Sequence, residues 1–257
     1  MADQFWGQRS FCLVSGASQG IGQSFAVEFA HRFSAGSRLV LVARSVTGLE
    51  ETKSLILTNN PHITVQTHSV DLSQPDPGVF KDILQQAESY DLAMLVHNAG
   101  SLGRIDQLAA DIDDPQEWNR YMSLNLYHVT TLTAEFLRKF TSGHRTIVNV
   151  TSLCAVKPFR SMGYYCVGKA AREMYFKVLA EENRDLDILN YSPGPVDTDM
   201  VADVIKTVKD VETQLEFTTI RDSKSLVTKE QTTQKLVALL ASRKYKSGDR
   251  FDYYDPL

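Results

Sequence analysis

Residues 11 to 36 leave this chain few ways to fold. Phe11, Cys12, Leu13 and Val14 make a short apolar run ending in Ser15, and Gly16 follows at once, with Gly20 and Gly22 close behind. Apolar residues then recur every fourth position, at Ile21, Phe25, Phe29 and Phe33, until Ala35 and Gly36 interrupt them. The run predicts a buried strand, and the spacing predicts a helix over 21–33 with one face against a core. A strand, a glycine turn and a helix in immediate succession leave the first N–H groups of the helix without partners and aimed at the turn. Such a place suits an anion, above all a phosphate, because glycines let the backbone approach it closely. The spacing is G-x-x-x-G-x-G. A glycine turn alone says little, but this one stands between a strand and a helix, as a dinucleotide pyrophosphate site requires.

The same alternation continues along the chain. Further strands are expected at 38–43, 63–70, 92–96, 146–150, 188–191 and 250–254. Helices are expected at about 45–59, from after Gly78 to about Ser89, at 114–140, 165–182 and 228–242. Asp114, Pro115 and Glu117 form a strong helix start, and Thr228 with Gln231 forms a capping box. Strands alternating with helices predict an α/β fold: a doubly wound, Rossmann-like parallel sheet of about seven strands, with helices on both faces and ligands at the strands' carboxyl ends. All 257 residues are expected in a single domain. The stretch of about 200–227 is polar and weakly periodic, which suits a mobile lid.

Composition narrows the function. A net charge of −4 argues against nucleic acid or an acidic membrane surface as partner. Cys12, Cys154 and Cys166 have no metal-type spacing, so reduced thiols and no metal are expected. No apolar run approaches the ~20 residues of a membrane span. With neither a signal segment near Met1 nor a lipidation signal near Leu257, a cytoplasmic protein is expected.

Candidate site residues cluster at predicted strand ends. Arg44 and Ser45 end the second strand, where an acidic residue would suit a ribose hydroxyl. Arginine instead suits a 2′-phosphate, predicting preference for NADP(H). Asp71 and Leu72 end the third strand, placed to touch the adenine. Asn125 falls mid-helix, where a buried amide needs partners. Ser152 closes the fifth strand. Tyr165 and Lys169, four apart on a helix, share a face, so the ammonium is expected to lower the phenol's pKa toward neutrality and make it a general acid or base.

Five blocks together resemble the short-chain dehydrogenase/reductase family over nearly the whole chain: Gly16 to Gly22, Asn98 to Gly100, Asn125, Ser152 with Tyr165 and Lys169, and Pro193 to Thr198. The family's serine stands thirteen residues before its tyrosine and the tyrosine four before its lysine, which selects Tyr165 over Tyr164. His97 departs from the commoner asparagine. The resemblance implies NADPH as cofactor, held by Gly16, Ser18, Gln19, Gly20, Ile21, Gly22, Arg44, Ser45, Asp71, Leu72, Asn98, Lys169, Val196, Thr198 and Met200. It implies Ser152, Tyr165, Lys169 and Asn125 as catalytic, with Asn125 holding a water that links Lys169 to solvent. Finer blocks, at Thr151–Ala155, Tyr164–Arg172, Tyr191–Met200 and Phe251–Asp255, resemble family members that reduce side-chain ketones of pterins on the route to tetrahydrobiopterin. That likeness implies a small-molecule pterin substrate touching Ser152, Leu153, Tyr165 and Gly194, with Asp252 anchoring its ring. Reductases of other ketones, quinones or diketones, and a module that holds NADP(H) without turnover, are the alternatives. A homodimer is expected through the two long helices, on Leu124, Leu126, Leu132, Phe136 and Leu137 and on Met174, Tyr175, Phe176 and Leu179.

Overall fold

Alternation along one strand shows how the layers form. In β1 (Ser10–Ser15), Cys12 and Val14 pack into one apolar cluster and Phe11 and Leu13 into another, on opposite faces. The computed structural model describes residues 5–85 and 89–257. Its sheet comprises β1, β2 (Arg38–Ala43), β3 (Thr64–Ser69), β4 (Leu92–His97), β5 (His144–Val150), β6 (Leu186–Ser192) and β7 (Arg250–Asp252). Every pairing is parallel, in the order β3-β2-β1-β4-β5-β6-β7. The chain therefore reverses direction across the sheet between β1 and β4, and at such a switch point the carboxyl ends of the strands open a crevice.

Helices α1 (Gly20–Arg32), α2 (Val46–Asn59) and α9 (Lys229–Ser242) cover one face, with Phe25, Phe29, Leu49, Ile56, Leu236 and Leu240 inside. Helices α3 (Pro77–Gln85), α5 (His128–Lys139) and α6 (Gly163–Glu182) cover the other, with Phe80, Val129, Leu132, Phe136 and Phe176 inside. The expected extension of α3 toward Ser89 includes residues 86–88, which lie outside the described residues. The expected helix over 114–140 is α4 (Pro115–Met122), a π turn (Ser123–Tyr127) and α5 in unbroken succession. The expected caps are formed: the Asp114 carboxylate accepts from the Gln116 N–H, and Thr228 and Gln231 complete their reciprocal box.

Three features of the structure bear on what was expected. The stretch beyond 200 folds into two helices, α7 (Asp199–Thr207) and α8 (Val211–Asp222). Val201, Val204 and Val208 recur at helical spacing and are buried, the last two in a third cluster that contains Tyr165. Of the residues expected at a two-fold interface, Leu132, Phe136 and Phe176 are wholly enclosed in the chain's own core, and Leu124, Leu137, Tyr175 and Leu179 lean on it. Met174 is 60% exposed. The last strand ends at Asp252, two residues early, because the Asp252 and Tyr254 amides turn back onto the carboxylates of Asp255 and Asp252. No helix among the described residues is long and apolar enough to cross a membrane.

Candidate active site

The glycine turn is closed by backbone contact. Gly16 and Gly20 have φ of +70° and +61°, the left-handed region that glycine enters freely. A Cβ on Gly22 would lie 2.2 Å from the Gly16 carbonyl oxygen, so α1 can pack this tightly on the turn only without one. Asn98 sits beneath. Its amide donates to the carbonyls of Ser15 and Gly16, both at 3.1 Å, while the Ser15 hydroxyl accepts from the N–H groups of Asn98 and Ala99. Helix α1 begins with no side chain capping its amides, so its free N–H groups face the crevice.

That crevice is a groove of about 1090 Å³. Gly16, Ser18, Gln19, Gly20, Ile21, Arg44, Ser45, Leu72, Asn98, Thr198 and Met200 line it. Not every expected contact faces it in the same way. The Ser45 hydroxyl caps α2 by accepting from the Gly48 N–H. The Asp71 side chain accepts from the amide and hydroxyl of Ser73, which, ahead of the Arg44 cation, hold its carboxyl below the usual range. Asp71 is not among the groove's lining residues. The Gln19 amide leans across to Asp199 at 3.4 Å.

A second cavity, of about 240 Å³, continues from the groove and shares Ile21, Asn98, Gly100, Thr198 and Met200 with it. Its walls bring together Ser152, Leu153, Tyr165, Lys169, Gly194, Val196 and Asp252, which are scattered over 101 positions of the sequence (152 to 252). Helices α7 and α8 supply its roof through Met200, Val204, Phe217 and Ile220. The isolated bridge between Val196 and Val227, with the Asp197 and Val227 amides bonded across it, ties the end of this roof to the proline turn after β6.

Within the chamber, the Ser152 hydroxyl accepts from the Cys154 N–H at 3.2 Å and keeps its own proton to donate. The Lys169 ammonium donates to the Val150 carbonyl at 2.7 Å and lies 5.5 Å from the centre of the Tyr165 ring. The Tyr165 hydroxyl points at the Met200 sulfur, 3.8 Å away. The expected lowering of the Tyr165 pKa by Lys169 is not found. Burial pushes the phenol well above the ordinary tyrosine range, and the Ser152 hydroxyl and the Arg172 cation offset only part of this. The same burial, with Arg172 nearby, drives Lys169 well below the usual lysine range. Withdrawal from water opposes both charges, so the tyrosine in this cavity is held as a neutral proton donor.

Asn125 is buried and is not among the residues that line the chamber. Its Oδ1 accepts from the Ser101 N–H at 2.9 Å, and its amide donates to the Ser101 hydroxyl and to the Tyr121 carbonyl. Its side chain therefore orders the loop after Gly100.

Two arginines escaped the sequence reading. Arg172 is wholly buried and donates to Asn149 Oδ1, the Ala99 carbonyl and the His97 carbonyl at 2.8–3.1 Å; burial lowers its pKa to about 10. Its position three beyond Lys169 and seven beyond Tyr165 puts it on their helix face, a signal available in the sequence. Arg250 joins Ser152, Glu173 and Asp252, and no local pattern announces it.

The chain's likenesses agree with this geometry. The family model described as short chain dehydrogenase matches residues 10–209. The sepiapterin reductase of Bos taurus is 36% identical over 255 residues, covering 96% of this chain and 95% of that one. The sepiapterin reductase of Xenopus tropicalis is 35% identical, covering 95% and 96%. A short chain dehydrogenase from Shigella flexneri 2a, solved with NADP, shares the fold with a TM-score of 0.80 at 23% identity, covering 98% of this chain and all of that one. With the glycine turn, the groove and the Ser152, Tyr165 and Lys169 chamber at the sheet's switch point, this chain belongs to the short chain dehydrogenase family of nicotinamide-dependent oxidoreductases.

Proposed function

We propose that this protein reduces the side-chain ketones of pterins, such as sepiapterin and 6-pyruvoyl-tetrahydropterin, with NADPH. One observation carries the reading: Ser152, Tyr165 and Asp252 line a single chamber that opens into the groove at the glycine turn. Nearly full-length similarity to sepiapterin reductases supports the substrate class.

The groove fits a dinucleotide. Its floor is a turn that has no room for a Cβ at Gly16 or Gly22, and Arg44 lines it as the cation for a 2′-phosphate. Gly16, Ser18, Gln19, Gly20, Ile21 and Gly22 would hold the pyrophosphate. Ser45 and Leu72, with Asp71 behind Arg44, would flank the adenosine, and Asn98, Val196, Thr198 and Met200 the nicotinamide half. When bound there, NADPH supplies the hydride.

The chain's own groups do the rest. The Ser152 hydroxyl, free to donate, holds the substrate's carbonyl oxygen, and Leu153 and Gly194 flank the substrate. Tyr165, kept neutral by its burial, gives its proton to the oxygen as negative charge develops there. Lys169, fixed by the Val150 carbonyl, would bond the ribose and help return the proton. Asn125 keeps the Ser101 loop in place beside this path. Asp252, an acceptor-only carboxylate, takes N–H groups of the pterin's aminopyrimidine edge. Helices α7 and α8 act as the lid. A two-fold pairing stays within this reading on Val167, Met174 and Val178, which form an exposed apolar stripe on α6 and which sedimentation would test.

NADPH oxidation with sepiapterin, measured on wild type and Asp252→Ala, tests the assignment. Robust wild-type turnover, with the variant failing mainly through a KM raised roughly tenfold or more, is expected from the loss of a charge-assisted pair. A wild type that reduces butane-2,3-dione but leaves sepiapterin untouched would move the protein to the reductases of other ketones.

A further inference from the structure

Arg250 and Asp252 alternate with Phe251 along β7 and so point to the same side of the strand. One terminal nitrogen of Arg250, Nη1, donates to the Ser152 carbonyl at 2.7 Å and to Glu173 Oε2 at 3.2 Å. The other, Nη2, donates to Asp252 Oδ2 at 3.2 Å. Glu173 is itself enclosed and accepts as well from the Thr151 hydroxyl at 2.9 Å and Lys177 Nζ at 2.8 Å. The remaining oxygen of Asp252, Oδ1, accepts from the Tyr254 N–H at 3.3 Å. The Asp252 carboxylate and the main chain of Ser152, both lining the chamber, are thus gripped by one planar cation. A guanidinium holds its donors in a fixed fork, so it dictates the mutual positions of its acceptors, which a flexible ammonium does not.

Stability alone gives little reason for this arrangement. Mostly buried ion networks often contribute less than well-packed apolar side chains would. The network has a geometric effect instead. β7 is three residues long, lies at the sheet's edge and, among the described residues, pairs with β6 alone. The loop carrying Ser152 leaves a different strand. Arg250 fastens the one to the other.

We propose that Arg250 is a positioning residue that sets the span between the ring anchor Asp252 and the carbonyl-orienting Ser152. It thereby selects ketones carried at a fixed distance from an aminopyrimidine edge. The inference rests on the pterin reading above. A rigid bicyclic ring held at Asp252 brings its ketone to Ser152 only if those two points keep their spacing. A displacement of about 1 Å at a reacting centre costs on the order of 100-fold. A small diketone touches only the Ser152 end and follows it wherever it sits.

Steady-state kinetics with saturating NADPH on wild type, Arg250→Met, Arg250→Lys, Asp252→Ala and the Arg250→Met/Asp252→Ala pair test this, with sepiapterin and butane-2,3-dione as the two substrates. In Arg250→Met, kcat/KM for sepiapterin should fall roughly 100-fold, through both KM and kcat, against roughly fivefold for the dione. In the Asp252→Ala background the Arg250→Met effect on sepiapterin should shrink to the loss seen with the dione, since no anchor is left to misplace. Arg250→Lys keeps the charge without the fork and should behave like the methionine variant. Should thermal unfolding show the methionine variant unfolded, the lysine variant decides. Equal losses on the two substrates, an undiminished effect in the Asp252→Ala background, or full rescue by lysine would each overturn the inference while leaving the pterin reading intact. A wild type inactive on sepiapterin would sink both together.

Discussion

The two halves of the cleft are built by different means. At the pyrophosphate part of the nucleotide end, consecutive residues do the holding: β1, the glycine turn and the start of α1 form one uninterrupted stretch, and the backbone makes much of the surface, with Arg44, Leu72, Asn98 and Thr198 added from other elements. At the substrate end, side chains from β5, the loop after it, α6, the proline turn, α7, α8 and β7 converge from positions 150 to 252. The first half has no room for an added atom at Gly22, whose packing partner is the Gly16 main-chain carbonyl, which cannot rotate away, and little at Gly16. The second depends on hydrogen bonds between elements, so it is adjustable, and family members with the same nucleotide half could differ in substrate there. Shape governs one half and connection governs the other.

The largest expected effect lies where the halves meet. Tyr165→Phe removes the proton donor but little of the nucleotide surface, so turnover should fall by roughly 10²–10⁴ while NADPH binding, read by fluorescence titration, stays nearly intact. Turnover within about a factor of two of wild type would take Tyr165 out of the chemistry.

Gly22→Ala attacks the backbone half. Its Cβ would sit 2.2 Å from the Gly16 oxygen, so the turn must open. A loss of about 1–3 kcal/mol in stability, typical of overpacking, should accompany NADPH binding weakened at least tenfold, seen by denaturant melts and by titration. An alanine variant that binds NADPH normally would mean that the turn is looser than its packing implies.

Arg44→Ser should raise the KM for NADPH roughly tenfold and leave that for NADH nearly unchanged, since one charge-assisted contact is removed. Equal shifts for both nucleotides would assign Arg44 to the rim alone. The smallest effect belongs to neither half. Thr228→Ala breaks the capping box of α9 and should lower stability by about 1 kcal/mol, or roughly 2–4 °C in Tm, with turnover retained. Lost turnover there would show that the Val196–Val227 bridge transmits strain from α9 into the substrate half.

Much of the fold and the whole of the nucleotide turn were legible along the chain, because both rest on short-range patterns. Apolar runs and four-residue recurrences mark β1 and α1, Asp114 and Thr228 mark helix starts, and Tyr165 and Lys169 share a helix face whatever surrounds them. The valines at 201, 204 and 208 carried the same kind of signal for α7, but the polar residues between them hid it. Other properties had no local pattern to betray them. Whether Tyr165 is tuned up or down depends on how thoroughly the chamber excludes water, and burial there outweighs the neighbouring cations. Whether Leu132 and Phe176 face a partner or their own core depends on which helices lie beside them. The meeting of Arg250 with Ser152, Glu173 and Asp252 exists only because β7 returns to the sheet beside β6, and no spacing along a chain encodes that return. The order of the elements and the turn they converge on can be read along the chain, because hydrogen bonding and apolar periodicity act over a few residues. Charge states, buried partners and the span of the substrate chamber come from the folded arrangement, because they follow from distances between residues that are far apart along the chain.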